Sequence, residues 1–257
     1  MKIPTDRNIK LNFGHGNVNE SEDYCVVSSF SSLKKNYDVL IFTDSKGNTV
    51  KNSNNTWTLS LMKYLDNKML SYLFVSRPKN MTVFFSLINF VGLNNINFHY
   101  LITNLGFVDT TPKKAEFIDD IIMQNPFQKD KISKYSLCDY KLNSGEISTL
   151  YSISYLQVIE DIAKVIKANF ESAYLIGTFE FSSDIKIERI RPFEFFSQLQ
   201  ESNNLIRSIC NCSSNLHFVE VNQYLPEDEN VLSYDAVHFT QEGHSRMYDI
   251  CINQIRF

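Results

Sequence analysis

Glycine and proline are scarce, 8 and 6 in 257 residues, and there is one tryptophan. So little glycine excludes a Gly-rich repeat or a collagen-like chain. No apolar run approaches the ~20 residues of a membrane helix. The longest, residues 81–93, is broken by Thr82, Ser86 and Asn89. No apolar leader segment follows Met1-Lys2-Ile3-Pro4-Thr5-Asp6-Arg7. Positive charge is not in excess either: 25 Lys and Arg stand against 29 Asp and Glu, a formal net charge of -4. A weakly acidic chain has no overall field for a polyanion, which argues against nucleic acid as a partner. Cys25, Cys138, Cys210, Cys212 and Cys251 are odd in number and unevenly spaced. Without a leader they read as reduced thiols of a cytoplasmic protein. Cys210-Asn211-Cys212 has no second Cys/His pair nearby, so no metal is expected.

What is present is enough apolar material for a large core: 43% hydrophobic residues, with 20 Phe and 13 Tyr. Residues 37–42 are a short run of β-formers, and 72–75, 97–105, 173–179 and 216–221 read as further strands. Helical periodicity marks 57–73, 82–91, 192–209 and 240–255. Residues 147–170 read as one long amphipathic helix, with Leu150, Ile153, Leu156, Ile159, Ile162, Val165 and Ile166 on one side. Strands alternating with helices predict a single α/β domain over 1–257. The expected form is a three-layer α/β/α flavodoxin-like sandwich on a five-stranded parallel sheet, in strand order 2-1-3-4-5. Residues 1–36 fall outside the alternation and are expected to form an N-terminal extension that pairs with an edge or covers the sheet. Residues 112–145, rich in Lys, Asp, Asn and Gln, read as an insertion or lid.

Open α/β sheets bind ligands at the carboxyl ends of their strands. The loops there carry Asp44-Ser45, Gly106-x-x-Asp109 and Asp235-Ala236-Val237-His238. A serine, a histidine and an aspartate at one sheet end supply a nucleophile, a base and a group to orient the base. At these residues the chain resembles the SGNH/GDSL hydrolases. Thr43-Asp44-Ser45 is similar to their G-D-S block, and Leu105-Gly106-Phe107-Val108-Asp109 stands where they have G-x-N-D. Asp235-Ala236-Val237-His238-Phe239-Thr240 with Gly243-His244 resembles their last block, D-x-x-H-F-[ST]-x-x-G-H. The resemblance spans residue 38 to the C-terminus. It implies Ser45 as nucleophile on an ester carbonyl, His238 as its base and Asp235 as the partner that holds the imidazole. It also implies three oxyanion donors: the Ser45 backbone N–H, a backbone N–H after the second strand, and a side-chain amide in the third block.

Two departures stand out. Val108 replaces the third-block asparagine and donates nothing, which leaves Asn104 just upstream as a substitute. The second block, usually marked by glycine, falls on residues 76–82, where Asn80 is the candidate donor by backbone or side chain. A G-x-V-D third block is similar to a subgroup linked to bacterial surface-polysaccharide biosynthesis. Asp44, Gly106 and Asp109 read as loop supports. His244 reads as a packing or capping residue of the last helix, and His99 and His217 as sheet-face residues; His15 has no evident partner. Arg77, Lys79, Lys113 and Lys114 are either a positive rim for an acidic sugar or phosphate, or solvated surface charges.

The expected function is a serine esterase that removes an O-acyl group, acetyl in the first instance, from a carbohydrate through an acyl-Ser45 intermediate. No cofactor is expected for that reaction. An O-acetyltransferase with the same triad is the alternative, with acetyl-CoA as donor, a surface polysaccharide or its precursor as acceptor, and 112–145 as a lid that excludes water. A non-catalytic glycan-binding protein is the third reading, motivated by Val108.

Overall fold

The computed structural model describes residues 25–47, 55–76, 83–114, 135–141, 144–153, 158–187, 191 and 194–257. The chain runs β1 (Cys25–Ser28), β2 (Asn36–Thr43), α1 (Trp57–Asn67), β3 (Tyr72–Ser76), α2 (Val83–Asn94), β4 (Asn97–Thr103) and α3 (Phe107–Thr110). It continues through β5 (Tyr135–Lys141), β6 (Ile147–Ile153), α4 (Ile159–Asn169), β7 (Ser172–Ile176), α5 (Phe195–Cys210), β8 (Leu216–Val219) and α6 (Gln241–Gln254). The main sheet has six strands in the order β1-β3-β2-β4-β7-β8. Its five parallel strands, β2, β3, β4, β7 and β8, take the expected order 2-1-3-4-5. The sixth, β1, adds antiparallel to the β3 edge, with Cys25 opposite Ser76. The expected five-strand count is therefore one short. Four residues, Cys-Val-Val-Ser, are too few to show a period of two.

Both faces of the sheet are covered, so its central strands are apolar without a break. On β2, Leu40 and Phe42 join one core with Phe84 and Phe90 of α2, Ile162 and Ile166 of α4, and Ile206 and Ile209 of α5. Val39 and Ile41 point the other way, into a core with Trp57, Leu61 and Leu65 of α1 and Met247 and Ile250 of α6. Each such side chain contributes roughly 1.5–3 kcal/mol by leaving water. The two cores clamp β2 from both sides, and β2 delivers Ser45.

The helix expected over 147–170 is instead two elements. Ile147–Ile153 is β6, paired antiparallel with β5 from Tyr135↔Ile153 to Lys141↔Ile147 in a separate two-stranded sheet. The turn between them contains Gly145 at φ +87, a left-handed backbone that glycine takes without strain. Ile147, Thr149, Tyr151 and Ile153 alternate with period two, and a β-sheet partner in 135–141 decides the matter. Among the described residues of this stretch, Ile159–Asn169 is helical. The hairpin's second strand runs beside α3, at the carboxyl end of the sheet.

Candidate active site

The turn that follows β2 is held from three sides. Ser45–Gly47 make one 3-10 turn. Asp44 Oδ1 accepts from the Lys46 backbone N–H at 2.8 Å and from Asn104 Nδ2 at 2.8 Å. The Asp44 N–H donates to Asn104 Oδ1 at 3.0 Å, so both ends of this amide lock β4 to the serine turn. Ser76 Oγ, at the end of β3, donates to the Asp44 carbonyl. From α1, Trp57 Nε1 donates to the Lys46 carbonyl at 3.1 Å and Thr58 Oγ1 to the Gly47 carbonyl at 2.5 Å. Thr56 caps that helix by accepting from the Leu59 N–H. Gly47 lies flat on Thr43: a Cβ there would sit 2.2 Å from Thr43 Oγ1 and 2.6 Å from its Cβ. No larger residue fits.

Lys46 turns inward. It is 3% exposed, and its ammonium donates to Thr178 Oγ1 at 3.0 Å and lies 3.7 Å from Asp44 Oδ2. It also sits 5.2 Å over the Phe107 ring. Burial pushes its pKa down, against the pull of Asp44 and Asp109.

The histidine comes from the loop between β8 and α6. A bridge between Ser233 and Phe239 closes this loop, and Ala236 at φ 60 makes its tight bend. Asp235 is fully buried, and both of its carboxylate oxygens accept hydrogen bonds. Its Oδ1 takes the N–H groups of Val237 (3.1 Å) and His238 (2.7 Å). Its Oδ2 takes His238 Nδ1 (2.9 Å) and Arg191 Nη2 (3.4 Å). Burial pushes the carboxyl up, but the hydrogen bonds and charge of His238, together with Arg191, outweigh it and hold Asp235 down at about 2. With Nδ1 engaged by the carboxylate, His238 Nε2 meets Ser45 Oγ at 2.9 Å. The Tyr234 ring stacks on the imidazole, with centroids 6.0 Å apart and planes 17° from parallel.

The rest of the last block is structural. Thr240 caps α6 by accepting from the Gly243 N–H. A Cβ on Gly243 would lie 2.0 Å from the Leu232 carbonyl oxygen. His244, 1% exposed, packs edge-on against Phe239 just before α6, as a packing residue of that helix should, and accepts from the Trp57 N–H through Nδ1 at 3.3 Å, which tethers the start of α1.

In the third block, Gly106 has φ +120 and packs against Ser202 and Ile206 of α5, conditions that only glycine meets. Asp109 accepts from the N–H groups of Phe84 (3.3 Å) and Gly106 (3.4 Å). Burial raises its pKa, while Lys113 and these two donors oppose the rise. Val108 packs against both cores. Lys113 folds back onto its own loop and donates to the carbonyls of Val108 and Thr111, so it is no part of a positive rim. Lys114 is exposed. Asn80, Arg77 and Lys79 lie outside the described residues, as does most of 112–145. His99 pairs with Glu171 in solvent, and His217 stacks on Tyr174.

Ser45, His238 and Asp235 are thus brought together, with Asp44 and Asn104 directly behind the serine. Three contributors carry no sequence signal of their own: Lys46, Thr178 and Arg191. A fourth, Trp57, is singled out only as the lone tryptophan of the chain. Among the described residues no group of three or more His, Cys, Asp or Glu is placed to hold a metal, and no helix is long and apolar enough to cross a membrane.

No family model matches the chain, and no curated protein matches its sequence. Solved structures match its fold. The acetylxylan esterase Axe2 from Geobacillus stearothermophilus superposes with a TM-score of 0.52 at 12% identity, over 86% of this chain and 94% of its own. A point mutant of that enzyme, described as an acetyl-xylooligosaccharide esterase, gives a TM-score of 0.51 at 12% identity, with the same coverage of 86% and 94%. The shared architecture is the three-layer α/β/α sandwich, which in this chain carries an antiparallel edge strand.

Proposed function

We propose that this chain is a serine esterase that cleaves an O-acyl group, acetyl in the first instance, from a carbohydrate. The observation that carries the reading is the hydrogen-bonded relay from Ser45 Oγ through His238 to Asp235, with both links at 2.9 Å. A serine hydroxyl is a weak nucleophile until a base takes its proton. As Oγ attacks the acyl carbon, its proton passes to His238 Nε2, and Asp235 stabilises the imidazolium that forms. The negative oxygen of the tetrahedral intermediate takes the Ser45 backbone N–H and the second amide hydrogen of Asn104, whose first is spent on Asp44. His238 then protonates the departing sugar oxygen, the C–O bond breaks, and the acyl group stays on Ser45. A water molecule enters, gives its proton to His238 and attacks the acyl carbon. The acid leaves, and His238 returns the proton to Ser45.

The carbohydrate part of the reading is supported by the fold neighbour's action on acetylxylan. The test is acetate release from acetylated xylo-oligosaccharides and from p-nitrophenyl acetate, comparing wild type with Ser45→Ala. Release that depends on Ser45 is the expected result. Acetyl transfer from acetyl-CoA to a sugar, without acetate release in water, would replace hydrolysis by transfer at the same serine. Glycan binding without either reaction would overturn the enzymatic reading.

A further inference from the structure

We propose that Arg191 is a positioning residue of the relay, a fourth member that acts on His238 through Asp235. The inference rests on the serine-esterase reading above. The oxygen that accepts from His238 Nδ1 is the same Asp235 Oδ2 that accepts from Arg191 Nη2. The guanidinium is fixed on its other side by the Phe195 ring at the start of α5, 4.9 Å away. It is 16% exposed, and the carboxylate it meets is fully buried.

This geometry has a consequence for the resting site. To accept the Ser45 proton, His238 must be neutral. Among the described residues, Asp235 is then a buried anion that meets, besides Arg191, an uncharged ring on Oδ2 and the neutral N–H groups of Val237 and His238 on Oδ1. A buried carboxylate in that state favours the cationic imidazolium, which cannot act as base. Arg191 is a permanent cation on the shared oxygen, so the carboxylate stays ionised and compensated without a charge on His238. Among the described residues the Ser45 hydroxyl and the stacked Tyr234 ring also face the imidazole, and both are uncharged. Arg191 also fixes where Oδ2 lies, and Oδ2 sets the direction in which Nε2 points.

The test is steady-state hydrolysis of p-nitrophenyl acetate against pH by wild type, Arg191→Ala and Arg191→Lys, with the fold checked by circular dichroism. Arg191→Ala is expected to lower kcat about 10–100-fold with KM within about twofold, and to move the acid limb of the kcat/KM profile up by about one pH unit. Arg191→Lys should keep the acid limb in place and recover part of kcat. Millimolar guanidinium should restore activity to Arg191→Ala and leave wild type unchanged. A folded Arg191→Ala with an unmoved acid limb and no guanidinium rescue would overturn the proposal, whatever its kcat. A wild type with no turnover would overturn the esterase reading instead. In that case Arg191 is judged by NMR titration of the His238 ring, which needs no turnover: an unmoved titration midpoint in Arg191→Ala overturns the proposal.

Discussion

Of the buried carboxylates at the carboxyl end of this sheet, Asp235 beside the histidine and Asp109 beneath the third block have their charges treated in opposite ways. Asp235 receives N–H donors at 2.7, 2.9 and 3.1 Å and a guanidinium at 3.4 Å. They outweigh burial and hold it down at about 2. Asp109 receives two N–H groups at 3.3 and 3.4 Å. Its nearby cation, Lys113, donates to the carbonyls of Val108 and Thr111. Burial therefore wins, and the Asp109 carboxyl is pushed up. Burial alone does not decide the charge of a carboxyl group; the number and closeness of its donors do. The carboxylate next to His238 is the one kept ionised. The one in the loop is a brace between Gly106 and α2.

The largest effect that separates the two is on turnover. Asp235→Asn removes the anion that stabilises the imidazolium and is expected to cost about 10⁴-fold in kcat, measured on p-nitrophenyl acetate. The stability of the two asparagine variants should then differ in its dependence on pH. Asp235 has a lowered pKa, so it contributes stability above about pH 4, and that contribution of ~2 kcal/mol fades as pH falls toward about 2. Asp109 has a raised pKa, so its contribution is complete below about pH 4 and is lost as pH rises. Urea melts at pH 3, 5 and 8 should show the cost of Asp235→Asn growing between pH 3 and 5, and the cost of Asp109→Asn shrinking toward pH 8. Parallel slopes would contradict the comparison. The smallest effect is Asp109→Asn on kcat, expected within about tenfold, because Asp109 touches no reacting group.

Much of this arrangement can be read before any coordinates are seen. Apolar runs alternating with helical stripes give the five parallel strands, because a strand buried on both faces must be apolar throughout. Strand-end placement then puts Ser45 and the 235–238 loop together. The short β1 has too few residues to register. The β5–β6 pair is hidden in the sequence because Leu150 and Ile153, which lie in β6, fall in phase with the helical stripe of α4. Lys46 and Arg191 belong to no period or spacing. A lysine is charged and exposed by default, and only the packing of Phe107 and Thr178 around it makes Lys46 a buried cation. Arg191 gains its meaning from Asp235, 44 positions away in the chain. His244 lies in a recognisable block, yet its partner, the Trp57 N–H, is 187 positions away.

The central claim is that Ser45 is activated by His238. Fluorophosphonate labelling of the purified protein, with the modified residue located by mass spectrometry, tests it most directly. The expected result is a single adduct on Ser45 in wild type, lost in His238→Ala. A folded protein that takes no label at Ser45, or one whose labelling persists without His238, would contradict it.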